Sequence, residues 1–264
     1  MDILEAQRRG ASARERHPWE LARVEIIRGL IARYVVLGAG SAVLDIGCGD
    51  AFVDDQIAAT FPEVSFYAVD SAFTDESIAH YRAQLSAKNV FLSSSLDSAI
   101  PHLDGRASLV ILMDVLEHIE NADAFLTHLM THPRIGGNSY VLVTVPAYQA
   151  LFCSHDKFLG HHCRYSNRQL RDLLERSGLE VIEIGYFFSS LVLARTLQVL
   201  KERWLIKKEN DSAGTGLVTW NGGVTLTALI KRLLLADVRL SRFLRQAGIT
   251  LPGLSNYAIC RKSV

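Results

Sequence analysis

Short apolar runs alternate with amphipathic stretches along the first two-thirds of the chain. The run Ala42–Ile46 is apolar apart from Asp45 and is closed by Gly47, which is typical of a strand buried on both faces. The other apolar runs predict strands at residues 64–69, 90–92, 108–112, 139–145 and 256–261. Helical spacing predicts helices at residues 51–60, 75–87, 122–130 and 167–177. Strand–helix alternation with short connections predicts one α/β domain over residues 1–264, built on a doubly wound and mostly parallel sheet.

Two helical regions fall outside this alternation. Residues 18–37 have an amphipathic pattern and precede the first strand, so we expect residues 1–38 to form a helical cover over the sheet. Residues 187–248 contain two helical stretches around a polar, glycine-containing link at residues 207–223. This pattern predicts a helical insertion or lid before the last strand.

The second helix of this insertion is strongly basic. Residues 226–245 carry five Lys or Arg residues against one Asp, and their apolar positions recur at helical spacing. If this helix is exposed, it could lie on an anionic membrane and give the protein a peripheral membrane contact. The interpretation that we favour is that its apolar stripe packs on the sheet or forms part of a lid over a lipid-like acceptor.

Composition excludes several classes of protein. The chain has 264 residues, of which 49% are hydrophobic, so it can bury a large core and is neither a disordered tail nor a disulfide-stapled mini-protein. The 28 Lys+Arg and 28 Asp+Glu residues balance, so we expect no nucleic acid as a partner. The four cysteines are scattered, residues 1–20 lack a signal-peptide core, and no apolar stretch could span a bilayer, so we expect a cytoplasmic protein. The sequence leaves the oligomeric state open.

A glycine turn follows the first predicted strand, and a carboxylate follows the second. Gly47 and Gly49 would let the backbone approach a ligand at the carboxyl ends of the strands. Asp70, which is 21 positions after Gly49, could accept hydrogen bonds from both hydroxyls of a ribose. Phe52 occupies the third glycine position of a dinucleotide loop, which disfavours a nicotinamide-dependent oxidoreductase. The acidic groups before and after the turn would repel a pyrophosphate but suit a ligand that bears an ammonium and a sulfonium.

These residues resemble the class I S-adenosylmethionine-dependent methyltransferases. The resemblance is carried by VLDIGCGD at residues 43–50, by Asp70 and by LVILMDVLEHIE at residues 109–120. It implies a Rossmann-like, seven-stranded sheet with an antiparallel last strand, and S-adenosylmethionine as the methyl donor. It also implies donor-binding positions: Asp45 for the amino group, Gly47, Cys48 and Gly49 for the methionine and ribose, Asp70 and Ser71 for the ribose, Ser95 and Leu96 for the adenine, and Met113, Asp114 and His118 at the reactive end.

A histidine-rich loop follows the strand that ends near Pro146. It contains His155, Asp156, His161 and Tyr165, and it resembles an HD…GH..RY loop of a bacterial methyltransferase subgroup. Methyl transfer to a hydroxyl needs in-line alignment and a group that removes the proton. We expect His155 or His161 to be this base, with Asp156 orienting it and Tyr165 beside it, in the O-methylation of a small or lipid-like acceptor. The alternatives are that the methyl group goes to nitrogen or carbon, that these side chains only fix the loop by hydrogen bonds, and that the chain is a catalytically inactive donor-binding module.

A metal-assisted reaction is a further alternative. Asp114, Glu117 and His118 stand at positions i, i+3 and i+4, so on one helical turn all three could point the same way. This pattern resembles the ExxEH metal site of small-RNA 2′-O-methyltransferases and of some ubiquinone-pathway O-methyltransferases. Those sites add a downstream histidine, for which His155 or His161 could serve, and would suit a divalent ion. Asp114 is one methylene shorter than the glutamate of that motif, so we expect the reaction to proceed without a metal.

Overall fold

Seven strands form a single sheet with the order β3-β2-β1-β4-β5-β7-β6. The structure is a computed structural model that describes residues 16–103, 105–206 and 220–262. The strands are β1 (Ala42–Ile46), β2 (Ser65–Val69), β3 (Val90–Ser93), β4 (Leu109–Met113), β5 (Tyr140–Pro146), β6 (Leu179–Phe187) and β7 (Ser255–Lys262).

Helices connect the strands and cover both faces of the sheet. They are α1 (Pro18–Tyr34), α2 (Phe52–Ala58), α3 (Asp75–Arg82), α4 (Leu96–Ala99), α5 (Ala122–Met130), α6 (Ser154–Phe158), α7 (Asn167–Arg176), α8 (Ser189–Ile206) and α9 (Gly223–Gln246). Short 3₁₀ turns span residues 100–102, 116–118 and 149–151.

The pairing of the strands confirms the predicted architecture. Strands β1 to β5 pair in parallel, and β7 runs antiparallel to both β5 and β6. Helices α8 and α9 stand before β7, as the pattern of residues 187–248 predicts. Strands β1 and β4 pair at the centre of the sheet, and the strand order reverses between them. The carboxyl ends of these two strands therefore border the crevice where ligands bind in such sheets.

Strand β6 is the one strand that the hydrophobic pattern did not indicate, although the resemblance implied a seventh. It lies at the edge of the sheet and pairs only with β7 among the described strands. Its outward positions carry Glu180 and an exposed Ile182, and the register shifts between Val181 and Glu183. A half-exposed edge strand with a bulge has neither a continuous apolar run nor a clean alternation.

Two apolar cores flank the sheet. Ile27 and Leu30 of α1 pack with Phe66 and Ile259 on one face, while Leu126 and Leu170 belong to the core of the other face, where α5 and α7 pack. Helix α1 therefore covers the first face. Of the predicted helical cover at residues 1–38, residues 1–15 lie outside the described part. The polar link predicted at residues 207–223 also lies largely outside it, because residues 207–219 are not described.

The interpretation favoured for the basic helix is only partly correct. Leu234 and Val238 of α9 are buried in the core, so one side of the helix packs as predicted. Other leucines of the same helix stand at helical spacing on the opposite side and are more than half exposed, among them Leu229 and Leu233. The apolar content of α9 is thus divided between two faces, and only one of them is covered by the described residues.

Candidate active site

The glycine turn after β1 is anchored to the end of β2. Gly47 and Gly49 have φ angles of 76° and 62°, in the left-handed region that favours glycine. The N–H groups of Gly47 and Cys48 both donate to the carbonyl oxygen of Val69, at 2.7 and 3.1 Å. The Gly49 N–H donates to a carboxylate oxygen of Asp70 at 2.9 Å. The residues that are predicted to contact the methionine and ribose of the donor are therefore joined by hydrogen bonds at the ends of β1 and β2.

Asp70 is held between two loops. Its second carboxylate oxygen accepts a hydrogen bond from the Ala72 N–H at 3.0 Å, and the adjacent Ser71 is exposed. On the next strand along, the predicted adenine contacts lie at the start of α4, where the Ser95 side chain caps the helix and Leu96 is its first residue. The structure thus places these predicted residues after neighbouring strands, at the same edge of the sheet.

The turn after β1 touches the segment after β4. A Cβ atom at Gly47 would lie 2.6 Å from Cγ2 of Val115, which is closer than real Cβ contacts allow. The lack of a side chain at Gly47 therefore lets these two segments meet at the strand-order reversal, and it brings the glycine turn next to the turn at residues 116–118.

A pair of buried carboxyl groups lies beneath the glycine turn. Asp45 is fully buried and receives no hydrogen bond from an N–H or hydroxyl group of the described residues, and its neighbour is the carboxyl group of Asp54. Burial and the Asp54 charge raise the pKa of Asp45 well above its usual range, and burial raises the pKa of Asp54 to about 7. Burial also raises the pKa of the Cys48 thiol, so this side chain is a protonated core group, and only its backbone can face a ligand.

An arginine ahead of α1 lies over the start of α2. Arg16 forms an ion pair with Asp50 at 2.6 Å, and its guanidinium carbon lies 4.1 Å from the centre of the Phe52 ring. The contact neutralises one of the acidic groups beside the turn. The sequence did not indicate it, because Arg16 and Asp50 are far apart along the chain and belong to no common motif.

Asp114 is held at the end of β4 by a residue of α1. Its φ angle is 55°, and its carboxylate accepts hydrogen bonds from Arg23 and from Thr144, the latter at 3.3 Å. Burial acts to raise the pKa of Asp114, but the Arg23 guanidinium lowers it below its usual value. The expectation that Asp114 shares a helical turn with Glu117 and His118 is wrong, since the helical turn begins only at residue 116 and Asp114 turns to Arg23.

A different trio comes together at the same place. Glu117, His118 and His161 each offer one potential ligand atom, and these atoms lie within 4.8 Å of one another. The two imidazole rings meet edge to face with centroids 4.6 Å apart. Glu117 is fully buried and neither of its oxygens has a hydrogen-bond partner among the described residues, so burial and the nearby Asp114 charge raise its pKa well above the usual range.

Asp156 organises the histidine-rich loop. It is fully buried, and one of its oxygens lies 3.0 Å from Nδ1 of His161 and 2.8 Å from Nε of Arg164. The other oxygen accepts hydrogen bonds from the Cys153 N–H at 2.9 Å and from Arg195 of α8 at 3.1 Å. Burial acts to raise the pKa of Asp156, but the bond from His161 and the Arg164 charge hold it well below its usual range. Asp156 is therefore ionised and can fix the orientation and tautomer of His161.

The other predicted residues of the acceptor side have different surroundings. The Tyr165 hydroxyl donates to the Leu116 carbonyl at 3.2 Å, and burial raises its pKa, so this group ties the loop to the turn at residues 116–118. His155 is half-buried on α6, and the carboxylate of Asp156 pairs with His161 instead. Met113 is partly buried at the end of β4, next to Asp114.

An aromatic pair lies at the same carboxyl-end edge of the sheet, after β5 and near the end of β6. Tyr148, which follows β5 and has a φ angle of 61°, stacks on Tyr186 of β6 with ring centroids 5.1 Å apart. The sequence analysis did not single out this pair. The signal that could have found it is the position of Tyr148 directly after a strand end, where side chains meet the ligand crevice.

The fold and the glycine turn define the class of the protein. A sheet of this order, with a glycine turn at the strand-order reversal, is that of a class I S-adenosylmethionine-dependent methyltransferase domain. Residues 19–184 match the methyltransferase-domain family. The match covers more than half of the chain, so the chain belongs to this family. The membership argues against the nicotinamide-dependent alternative.

Curated relatives are similar over part of their length. A "Probable S-adenosylmethionine-dependent methyltransferase" of Mycolicibacterium smegmatis is 28% identical over 152 residues, which are 56% of this chain and 56% of that protein. The chain thus matches little more than half the length of this relative. A ubiquinone biosynthesis O-methyltransferase of Sinorhizobium fredii is 26% identical over 65% of this chain and 70% of its own. Among solved structures, an S-adenosylmethionine-dependent methyltransferase from Archaeoglobus fulgidus has a TM-score of 0.51 at 19% identity, over 90% of this chain and 94% of that one, which shows the same fold.

Proposed function

We propose that the protein transfers a methyl group from S-adenosylmethionine to a hydroxyl oxygen of a small, largely apolar acceptor, with His161 as the general base. The observation that carries this proposal is the bond between Asp156 and Nδ1 of His161 at 3.0 Å. A buried, ionised carboxylate at Nδ1 keeps a proton on that nitrogen and leaves the lone pair of Nε2 for a substrate proton.

The donor would lie across the glycine turn. The Asp70 carboxylate is available at the turn for the ribose hydroxyls, and the Asp45 carboxyl lies below it for the ammonium group. In the reaction the bond between sulfur and methyl breaks as the bond between oxygen and methyl forms, and S-adenosylhomocysteine leaves. His161 takes the hydroxyl proton during the transfer, so no positive charge builds up on the acceptor oxygen as it binds the methyl group.

Oxygen as the acceptor atom and an apolar acceptor rest on separate observations. The Sinorhizobium fredii relative is named as an O-methyltransferase of ubiquinone biosynthesis. In this chain the Tyr148 and Tyr186 rings stack at the carboxyl-end edge of the sheet and would suit a planar, apolar group there. In the loop that resembles the HD…GH..RY loop of a bacterial subgroup, His161 and Arg164 both bond to the buried Asp156. Tyr165 ties the same loop to the Leu116 carbonyl.

The test is a comparison of two neighbouring histidines. His161→Asn should lower kcat by about 10²- to 10⁴-fold on phenolic and hydroquinone acceptors, because the proton acceptor is lost. The Kd for S-adenosylhomocysteine, measured by calorimetry, should stay within about twofold, since this change leaves the glycine turn intact. His162→Asn, at an exposed position of the same loop, is the matched control. Wild-type turnover by His161→Asn would show that the base lies elsewhere, with His155 as the next candidate.

A metal-assisted reaction is a second candidate, and the orphaned carboxylate of Glu117 favours it. Glu117, His118 and His161 could hold a divalent ion such as Mn²⁺ or Zn²⁺, because a carboxylate and two imidazoles suit such ions. Asp156 would then orient a metal-bound His161 through its other nitrogen. A bound ion would polarise the acceptor hydroxyl and lower its pKa.

Chelation separates the two candidates. Since Nε2 of His161 cannot both bind an ion and take a proton, only one of the roles can hold. Full turnover after treatment with EDTA and gel filtration would support the base. Loss of turnover that returns with one particular divalent ion would support the metal site, and Glu117→Gln should then weaken binding of that ion in calorimetry.

A further inference from the structure

Helices α8 and α9 each expose a row of large apolar side chains. The row on α9 recurs at helical spacing, so its members share one side of the helix. Leu233 and Phe243 in this row are 60% and 66% exposed. We call these two rows the outer face, which consists of Leu193, Leu197, Leu200 and Trp204 of α8 and Leu226, Leu229, Leu233, Leu240 and Phe243 of α9.

The exposed charges beside the outer face have one sign. Among the described residues of α8 and α9, the exposed charged side chains are all basic: Lys201, Arg203, Arg232 and Arg239. The acidic side chains of these helices are turned to other partners, since Glu202 accepts from the Ser154 N–H at 3.2 Å and Asp237 accepts from the Ser190 N–H at 3.0 Å.

Arg232 and Arg239 stand at the border of the apolar row. At 100° per residue both fall to one side of the row on α9, within a turn of Leu229, Leu233 and Leu240. This is the arrangement in which arginine stems cover apolar surface while the guanidinium groups reach anionic groups beside it.

The opposite sides of both helices are fixed to the domain. Leu234 and Val238 of α9 are buried in the core, and Lys231 forms an ion pair with Glu25 of α1 at 3.0 Å. Helix α8 is bonded through Arg195 to Asp156. The outer face is therefore a stable part of the folded surface, and its exposure does not depend on a helix swinging away from the sheet.

We propose that the outer face docks on an anionic lipid bilayer, with the apolar rows in the interfacial region and the arginines against lipid phosphates. A second copy of the chain is a poorer occupant, because a symmetric interface would bring the same cations of both copies together. The contact would be peripheral, since none of the helices in the described ranges is both long and apolar enough to cross a membrane. This inference does not depend on the proposed methyl transfer.

Vesicle co-sedimentation of the full chain tests the proposal. The protein should sediment with vesicles of phosphatidylcholine and phosphatidylglycerol in equal parts, much less with phosphatidylcholine alone, and less as the salt concentration rises. Arg232→Gln/Arg239→Gln should weaken binding to the mixed vesicles by roughly fivefold per arginine. Leu233→Gln/Leu240→Gln should weaken it by roughly tenfold or more, because apolar side chains no longer leave water.

The control variant changes an apolar residue outside the outer face. Val36 is 94% exposed, and Val36→Gln should sediment like the wild type. All variants change exposed side chains, so their circular dichroism and Tm should match the wild type. Equal binding by the Leu233→Gln/Leu240→Gln variant and the wild type would overturn the proposal. A second result would also overturn it: a wild type that is a dimer in light scattering and binds no vesicles, together with a Leu233→Gln/Leu240→Gln variant that is a monomer. The outer face would then be an interface between two copies of the chain.

Discussion

The Asp45 and Asp54 carboxyl groups make binding of the donor sensitive to pH. Both are buried, and Asp54 has a pKa of about 7, while the pKa of Asp45 is raised well above its usual range. At pH 6 the folded protein without donor therefore keeps protons on these two carboxyl groups. In an unfolded chain the same groups lose their protons near pH 4. The stabilisation that these protons give to the fold is present at low pH and is lost as pH rises towards the folded pKa values.

The donor's ammonium group should displace one of these protons. A cation beside Asp45 favours the ionised carboxyl and lowers its pKa, so binding of S-adenosylhomocysteine at pH 6 should release a proton. We expect affinity to rise between pH 6 and 7.5, below the range in which the ligand's own α-amino group loses its charge. Calorimetry in two buffers with different ionisation enthalpies measures the proton release directly.

Asp54→Asn provides the control for this linkage. The amide cannot repel an ionised Asp45, so proton release should fall and the affinity should change less between pH 6 and 7.5. Equal proton release by the wild type and the variant would mean that the Asp54 charge does not help to raise the pKa of Asp45. A wild type that releases no proton at pH 6 would mean that Asp45 does not face the donor's amino group.

Single residues show which parts of the site the sequence could predict. The sequence predicts that Gly47, Gly49 and Asp70 lie close together, and in the structure the Gly49 N–H bonds to Asp70. This could be predicted because the lengths of a strand, its turn and the next strand determine where the strand ends meet. Arg23 was not found as the partner of Asp114, since 91 positions separate them and only the packing of α1 on the sheet brings them together. Contacts between distant parts of the chain leave no local pattern.

At the scale of elements, the contact between the glycine turn and the segment after β4 predicts a specific coupling. Gly47→Ala should lower the free energy of unfolding by more than about 2 kcal/mol, since a left-handed backbone costs a residue with a Cβ roughly 1–2 kcal/mol and the new methyl meets Val115 as well. Val115 cannot turn aside easily, because β-branched side chains have restricted χ1 angles. Val115→Ala in the Gly47→Ala background should restore about 1 kcal/mol of the free energy of unfolding, because it removes the clash with the new methyl group. The cost of the left-handed backbone at residue 47 should remain.

The measurement is a double-mutant cycle by urea unfolding. Gly38→Ala is the matched control, since a Cβ there meets nothing within 4 Å, and its free energy of unfolding should match the wild type. Strict additivity of the Gly47 and Val115 changes would show that the two segments do not press on each other.

The elements divide into those with a local signal and those without one. Helix α7, predicted at residues 167–177, begins after Ser166, which forms a capping box with Gln169, and ends just before Gly178. The turn after β4 was wrongly expected to include Asp114, because i, i+3 and i+4 spacing suggests a helix but cannot show where it begins. Strand β6 lacked a pattern because its outer side faces solvent and carries charge.

At the scale of the whole molecule, α8 connects the outer face to the candidate base. Arg195 is the link, since it donates to the Asp156 carboxylate that pairs with His161. Arg195→Gln should lower the free energy of unfolding by roughly 2 kcal/mol, the usual range for a hydrogen bond to a charged group. We also expect a lower kcat with little change in the Kd for S-adenosylhomocysteine, because Asp156 loses one of its fixed partners.

Arg203→Gln is the matched change on the same helix. Arg203 donates to the Ala150 carbonyl at 3.0 Å and contacts no carboxylate among the described residues, so kcat should be retained. Identical kcat values for the Arg195→Gln and Arg203→Gln variants would mean that α8 only packs against the loop and does not help to position its carboxylate.

The four exposed cations on α8 and α9 have a consequence for the molecule as a whole. The formal charge of the chain is zero, so everything outside this patch must sum to minus four. The separation of these charges gives the molecule an electric dipole, and near a negatively charged surface the dipole exerts a torque that turns the basic end forward before contact. At physiological ionic strength this pre-orientation acts within a screening distance of about 8 Å, so it would shorten the final search for a productive encounter without attracting the protein from afar.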